Sequence, residues 1–113
     1  KLDNLIIIID RNKLQITGNT EEINPIEPLV DKFESFGLVV KEVDGNSLVE
    51  LDTILKQTPF KKENPSLIIA NTTKGKGISF IENVVSWHHR VPTEDEYKHS
   101  MEELNLQYNE LVN

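Results

Sequence analysis

The chain has 113 residues, and 12 Lys+Arg against 19 Asp+Glu leave a formal net charge of −7. That length suits one compact domain, and the acidic balance argues against a nucleic-acid-binding module or a peripheral domain on anionic membranes, both of which need basic patches. The absence of cysteine excludes a disulfide scaffold, a thiolate metal site and a cysteine nucleophile together. No leader or membrane-spanning run is legible at the start of the sequence, so the expectation is a cytoplasmic protein with no membrane partner.

The first element follows almost at once. Leu5-Ile-Ile-Ile-Ile9, closed by Asp10, is an uninterrupted aliphatic run that reads as a strand buried on both faces, as in the middle of a parallel sheet. Pro28 to Phe36 places Leu29, Val30, Phe33 and Phe36 on one helical stripe, with Gly37 as its stop. Leu38 to Val43 is a second strand, ended by the turn Asp44-Gly45-Asn46. Ser47-Leu-Val-Glu50 has the spacing of a capping box, and Leu48, Leu51, Ile54 and Leu55 form the stripe of its helix. A polar loop from Pro59 to Pro65 precedes a third strand, Ser66 to Asn71, and Thr93-Glu-Asp-Glu96 opens a last helix carrying Tyr97, Met101, Leu104, Tyr108 and Leu111. The order is that of an α/β fold: part of a parallel β-sheet flanked by helices, with three strands present. A first strand this apolar would be a hazard as an open edge, so the expectation is that it lies within a larger sheet completed by an upstream segment or a separate polypeptide.

Ligands of open parallel sheets bind beyond the carboxyl ends of the strands, and two segments occupy that place. Asp10-Arg11-Asn12-Lys13-Leu14 follows the first strand; the Asn12 amide oxygen and an outward main-chain carbonyl two residues later would suit Mg²⁺, a hard cation that often completes its shell with ligand phosphates. From spacing alone the commoner reading is that Asn12 closes a turn, since Asn after a strand is commonplace. Thr72-Thr-Lys74-Gly-Lys-Gly77 follows the third strand, where alternating glycines would open main-chain N–H groups to an anion and two lysines add charge; a plain surface loop is as good a reading of Gly-Lys-Gly alone. Further on, Ser86-Trp87-His88-His89-Arg90 offers either a His and Arg cluster for an anionic or hydroxylated ligand or a surface His pair beside a Trp anchor. The acidic pairs Glu21-Glu22 and Glu102-Glu103 read as solvated surface charge.

Leu2-Asp-Asn-Leu-Ile-Ile-Ile-Ile-Asp10-Arg-Asn12-Lys-Leu14-Gln-Ile-Thr-Gly18, then Asn71-Thr-Thr-Lys74-Gly-Lys-Gly77, then Glu82-Asn-Val-Val-Ser-Trp87-His88 resemble, in order, three motifs of the thiamine-diphosphate-binding half of transketolase. The resemblance extends over nearly the whole chain, including the turn at Asp44-Gly45, and is nearest to the form in which the diphosphate-binding and pyrimidine-binding halves are separate polypeptides. It implies a transferase of two-carbon ketol units between sugar phosphates in the pentose phosphate pathway, dependent on thiamine diphosphate and Mg²⁺. By the same resemblance Asn12 would give its side-chain oxygen and Leu14 its main-chain carbonyl to the metal. Lys74 would lie beside the cofactor, and His88 would contact the diphosphate and act as the catalytic residue that polarises the donor sugar. Thr17 stands where the family has an acidic residue, and His89 where it has glycine; the second leaves substrate preference open.

The resemblance also implies that residues 1–113 are the C-terminal part of the diphosphate-binding domain. The Gly-Asp-Gly motif with the acidic metal ligand would lie upstream of Lys1, and the activating glutamate on a pyrimidine-binding domain or subunit. The expected partners are therefore those two pieces, in a homodimer or heterotetramer, and the chain alone is expected to be inactive. The competing expectations are a 1-deoxyxylulose-5-phosphate synthase-like enzyme and a non-catalytic binding or regulatory module on the same fold.

Overall fold

The computed structural model describes Lys1–Asn113. The chain divides into two compact units, one made of Lys1–Lys13 and Asn19–Thr72, the other of Leu14–Gly18 and Thr73–Asn113.

The first unit is an α/β layer structure. Its sheet comprises β1 (Ile6–Arg11), β4 (Val39–Asp44) and β5 (Ser66–Asn71) in the order β1-β5-β4, all parallel. Between β1 and β4 the chain passes through a short strand pair, β2 (Leu14–Gln15) and β3 (Gly18–Asn19), then α1 (Thr20–Ile23) and α2 (Leu29–Ser35). Between β4 and β5 it passes through α3 (Leu48–Leu55). The central strand is thus the third one of the sequence reading. In β5, the residues Ser66 to Ala70 are all buried, and their alternation divides the core. Leu67 and Ile69 pack with Leu29, Val30 and Phe33 of α2, whereas Ile68 and Ala70 pack with Val43 and with Ile54 and Leu51 of α3.

Of the two faces of Leu5–Ile9 expected to be covered in a completed larger sheet, these 113 residues cover one. Ile7 and Ile9 join the α2 side of the core, but β1 is an edge of this sheet, and on its other face Ile8 is 53% exposed. An apolar run fixes the strand and its two-faced character; it does not say whether a neighbour is present on each face.

Helix ends follow their sequence signals unevenly. Gly37, at φ +86°, ends α2 with its N–H donated to the Glu34 carbonyl at 2.8 Å, the stop that glycine permits. Phe36, placed on the buried stripe by periodicity, is instead the exposed C-cap. Ser47 caps α3 by accepting from the Glu50 N–H, but the Glu50 carboxylate accepts from the Asp44 N–H, so only half of that box forms; Leu48, expected in the stripe, lies in the exposed first turn.

In the second unit the Thr93–Glu96 box forms in both directions and starts α4 (Glu94–Val112). A 3₁₀ turn, Val85–His88, precedes it. Tyr97, Met101, Leu104, Tyr108 and Leu111 are exposed along α4, whose buried residue is Ser100. No helix of the chain is long and apolar enough to cross a membrane.

Candidate functional site

The parallel register brings the carboxyl ends of all three strands level: Arg11 of β1 and Asp44 of β4 both pair with Asn71 of β5. The segment carrying Asn12 leaves β1 there, and the one carrying Lys74 leaves β5. The ends are stitched to each other. Thr72 donates its N–H to the Arg11 carbonyl and its hydroxyl to the Asp10 carboxylate, while Gly45 donates to the Asn71 carbonyl at 2.8 Å. Gly45 must be glycine for space: a Cβ there would lie 2.5 Å from Thr72 Cγ2 and 2.9 Å from Ala70 Cβ.

Asn12 is half-buried one residue past β1. Beside it Arg11 is only 4% exposed, an unusual burial for a guanidinium. It donates from Nη1 to Thr20 Oγ1 at 2.9 Å, from Nη2 to Glu21 at 2.8 Å, and from Nη2 and Nε to Glu27 at 2.9 and 3.1 Å. Glu27 also accepts from the N–H of Leu29, the first residue of α2, at 2.8 Å; that bond first, and Arg11 second, hold its carboxyl below the ordinary carboxylate range. The reading of Glu21 as solvated charge is corrected: it is a counter-ion of Arg11, and Glu22 alone of that pair is plain surface.

In the second unit Leu14 lies in β2, half-buried, and Lys74 is half-buried in the turn after β5. The Lys74 carbonyl accepts from the Asn83 N–H at 2.9 Å. Gly75 and Gly77 have φ of +76° and +103°, and a Cβ at Gly75 would meet Ile81 Cγ2 at 2.5 Å. The expectation of N–H groups open to an anion holds only in part. The Gly77 N–H is donated to Glu82 at 3.0 Å, and Lys76 pairs with the same carboxylate at 3.5 Å; these contacts, the N–H first, keep Glu82 acidic against its partial desolvation. Gln107 of α4 donates to the Gly77 carbonyl at 2.7 Å, and Glu103 accepts from the Ser79 hydroxyl and N–H, both at 2.6 Å. Those two Ser79 bonds lower the Glu103 carboxyl, which therefore is a loop anchor and not the solvated charge read from the sequence.

His88 ends the 3₁₀ turn, exposed, its ring edge-on to His89 with centroids 4.4 Å apart. Arg90 is not part of an anion cluster with them: it pairs with Glu96 and lies over the Trp87 ring at 4.3 Å. The hydrogen bond from the Thr93 N–H, helped by the Thr93 hydroxyl and the Arg90 charge, holds the Glu96 carboxyl below the ordinary carboxylate range. A pocket of about 310 Å³ in this unit is lined by Phe80, Asp95, Glu96 and His99 and includes none of the residues expected to bind ligand.

Of the four expected site residues, Asn12 thus belongs to the first unit and Leu14, Lys74 and His88 to the second. The two atoms expected from the sequence to hold a metal, the Asn12 amide oxygen and the Leu14 carbonyl, are both oxygens by chemistry, and no group of three or more His, Cys, Asp or Glu is placed to hold a metal ion. That donor set fits a hard cation which takes most of its shell from elsewhere, as Mg²⁺ does on a diphosphate. Sequence reasoning missed Arg11, Thr20 and Glu27 as one network. The available signal was an Arg at the end of an apolar strand, a position that requires counter-ions.

Comparison with known proteins agrees with this architecture. The family model described as transketolase, thiamine diphosphate binding domain, matches residues 1–112. The chain is 51% identical over 105 residues to one of the subunits of the apulose-4-phosphate transketolase of Actinobacillus succinogenes, covering 92% of this chain and 37% of that protein. It is 43% identical over 104 residues to the 6-deoxy-6-sulfo-D-fructose transketolase subunit SqwG of a Clostridium species, covering 92% and 38%. The crystal structure of transketolase from Campylobacter jejuni superposes with a TM-score of 0.83 at 32% identity, over 93% of this chain and 16% of that one. The chain therefore spans little more than a third of the curated relatives it matches, and by the match of nearly all its residues it belongs to the transketolase family, within the thiamine diphosphate binding domain.

Proposed function

We propose that this chain supplies the metal loop and one diphosphate-contacting loop of a transketolase that moves two-carbon ketol units between phosphorylated sugars. The observation that carries the reading is the level register of β1 and β5, Arg11 opposite Asn71. It makes the Asn12 and Lys74 segments depart from neighbouring parallel strands at the end where such sheets bind ligands.

In this reading the Asn12 side-chain oxygen and the Leu14 carbonyl hold Mg²⁺, and Lys74 offers its ammonium to the diphosphate. Thiamine diphosphate, when bound, supplies the carbanion chemistry that proteins lack. The chain's part is to anchor and orient. His88, exposed at the end of its turn, donates hydrogen bonds to diphosphate and donor-sugar oxygens, and the side chain of His89 beside it leaves the choice of sugar open. The acidic metal ligand and the activating glutamate come from residues outside these 113, in the rest of the diphosphate-binding domain and in a pyrimidine-binding domain or subunit, so that the chain alone is inactive. The relatives named as subunits support an enzyme assembled from more than one polypeptide.

The test is the complete enzyme containing this chain, assayed with a ketose phosphate and an aldose acceptor, and separately with pyruvate as donor. Ketol transfer from the ketose phosphate, lost in His88→Ala, is the expected result. Turnover of pyruvate instead would favour the synthase-like alternative, and no turnover of either with thiamine diphosphate bound would favour a binding module.

A further inference from the structure

Arg11 carries more than a core ion pair would require. All its partners lie on the segment that closes the loop after β1: Thr20 directly after β3, then Glu21 and Glu27. Thr20 in turn grips the loop's near end. Its N–H donates to the Lys13 carbonyl at 2.9 Å, and its hydroxyl lies 3.3 Å from the same oxygen. Lys13 is held at φ +65°, a left-handed conformation that a residue with a Cβ adopts at a cost and keeps only when its surroundings impose it. The bonds therefore run in series, from the guanidinium to the Thr20 oxygen and on to the carbonyl of Lys13, the residue between Asn12 and Leu14.

The geometry points to Arg11 as a positioning residue for the metal loop, acting through Thr20 on the backbone at Lys13. It rests on the reading of Asn12 and Leu14 as metal donors and adds what keeps them aimed before the metal arrives. A two-donor contribution is weak unless it is pre-formed, because each free backbone torsion must otherwise be frozen on binding. Arg suits the task because its planar fork serves three acceptors from fixed directions, which a lysine cannot do. The network tolerates loss of the cation: the Glu21 and Glu27 side chains keep 36% and 49% of their exposure and can be solvated, so a neutral replacement leaves a folded chain.

The test uses the complete enzyme containing this chain, with Mn²⁺ as the probe and thiamine diphosphate in excess, and reads the EPR signal of unbound Mn²⁺. Arg11→Gln and Thr20→Val are expected to raise the Mn²⁺ half-saturation roughly tenfold or more, the usual range for groups that orient a ligand. The double variant is expected to be no worse than Arg11→Gln alone, because both act on one series of bonds, and Arg11→Lys should recover part of the loss. Ile54→Val, in the core under α3, is the control for general destabilisation and should leave the half-saturation unchanged. Equal half-saturation in Arg11→Gln and the control would overturn the assignment, as would full multiplication of the two effects in the double variant. Failure of the wild-type enzyme to bind Mn²⁺ with thiamine diphosphate would overturn the metal-loop reading itself, and this inference with it.

Discussion

Along β5 the residues Ser66 to Ala70 are all withdrawn from water, whereas along the nineteen residues of α4 only Ser100 is. The first unit is held by apolar side chains on both faces of a central strand. The second is held by carboxylates and an amide of α4 and its neighbours, gripping backbone groups of the Lys74 loop: Glu82 on Gly77, Glu103 on Ser79, Gln107 on Gly77. The two carry different liabilities. Apolar burial is indifferent to pH and punishes cavities, while charge-assisted hydrogen bonds tolerate truncation nearby and fail when the carboxylate is protonated.

The largest effect should follow from a cavity. Leu67→Ala removes a side chain with no solvent exposure between α2 and β5 and is expected to cost about 2–5 kcal/mol in chemical denaturation. Leu111→Ala, 85% exposed on α4, should cost no more than about 0.5 kcal/mol. Equal losses would erase the distinction between the units.

A smaller effect should come from acid. The carboxyls of Glu82, Glu96 and Glu103 are lowered from 4.5, so their contribution is complete above the unfolded value and is lost as pH falls through the lowered folded ones. Amide exchange followed from neutral pH to about pH 3 should show Gly77 and Ser79 losing protection before Leu67 to Ala70, after correction for the intrinsic pH dependence of exchange. Glu27 is lowered as well, which extends acid sensitivity to the loop beyond β1 but not to the strand beneath it. Simultaneous loss at all these amides would show one cooperative unit.

What was legible in the sequence follows the same division. The strand Ser66–Asn71, the Gly37 stop and the Thr93 box are written in adjacent residues, and each stands as read. Local signals failed where the deciding partner is distant. Ile8 is apolar yet 53% exposed although it pairs with Ile68 of β5, and the Glu50 carboxylate turned to Asp44 instead of its own cap. Glu21 and Glu103 sit in acidic pairs that resemble solvated surface, yet one faces an arginine 10 residues away and the other a serine 24 residues away. Neither the register that levels Arg11 with Asn71 nor the network around Arg11 can be read from spacing, since both depend on which strands become neighbours.

Under the proposed function, the loops leaving β1 and β5 would bind thiamine diphosphate through a metal held in part by Asn12. Equilibrium dialysis of thiamine diphosphate against the complete enzyme at graded Mg²⁺, comparing the wild type with Asn12→Leu, tests it most directly. Retention that requires on the order of tenfold more Mg²⁺ in the variant is the predicted result, because an oxygen donor has been removed from a hard cation. Identical Mg²⁺ dependence in the two proteins would contradict it.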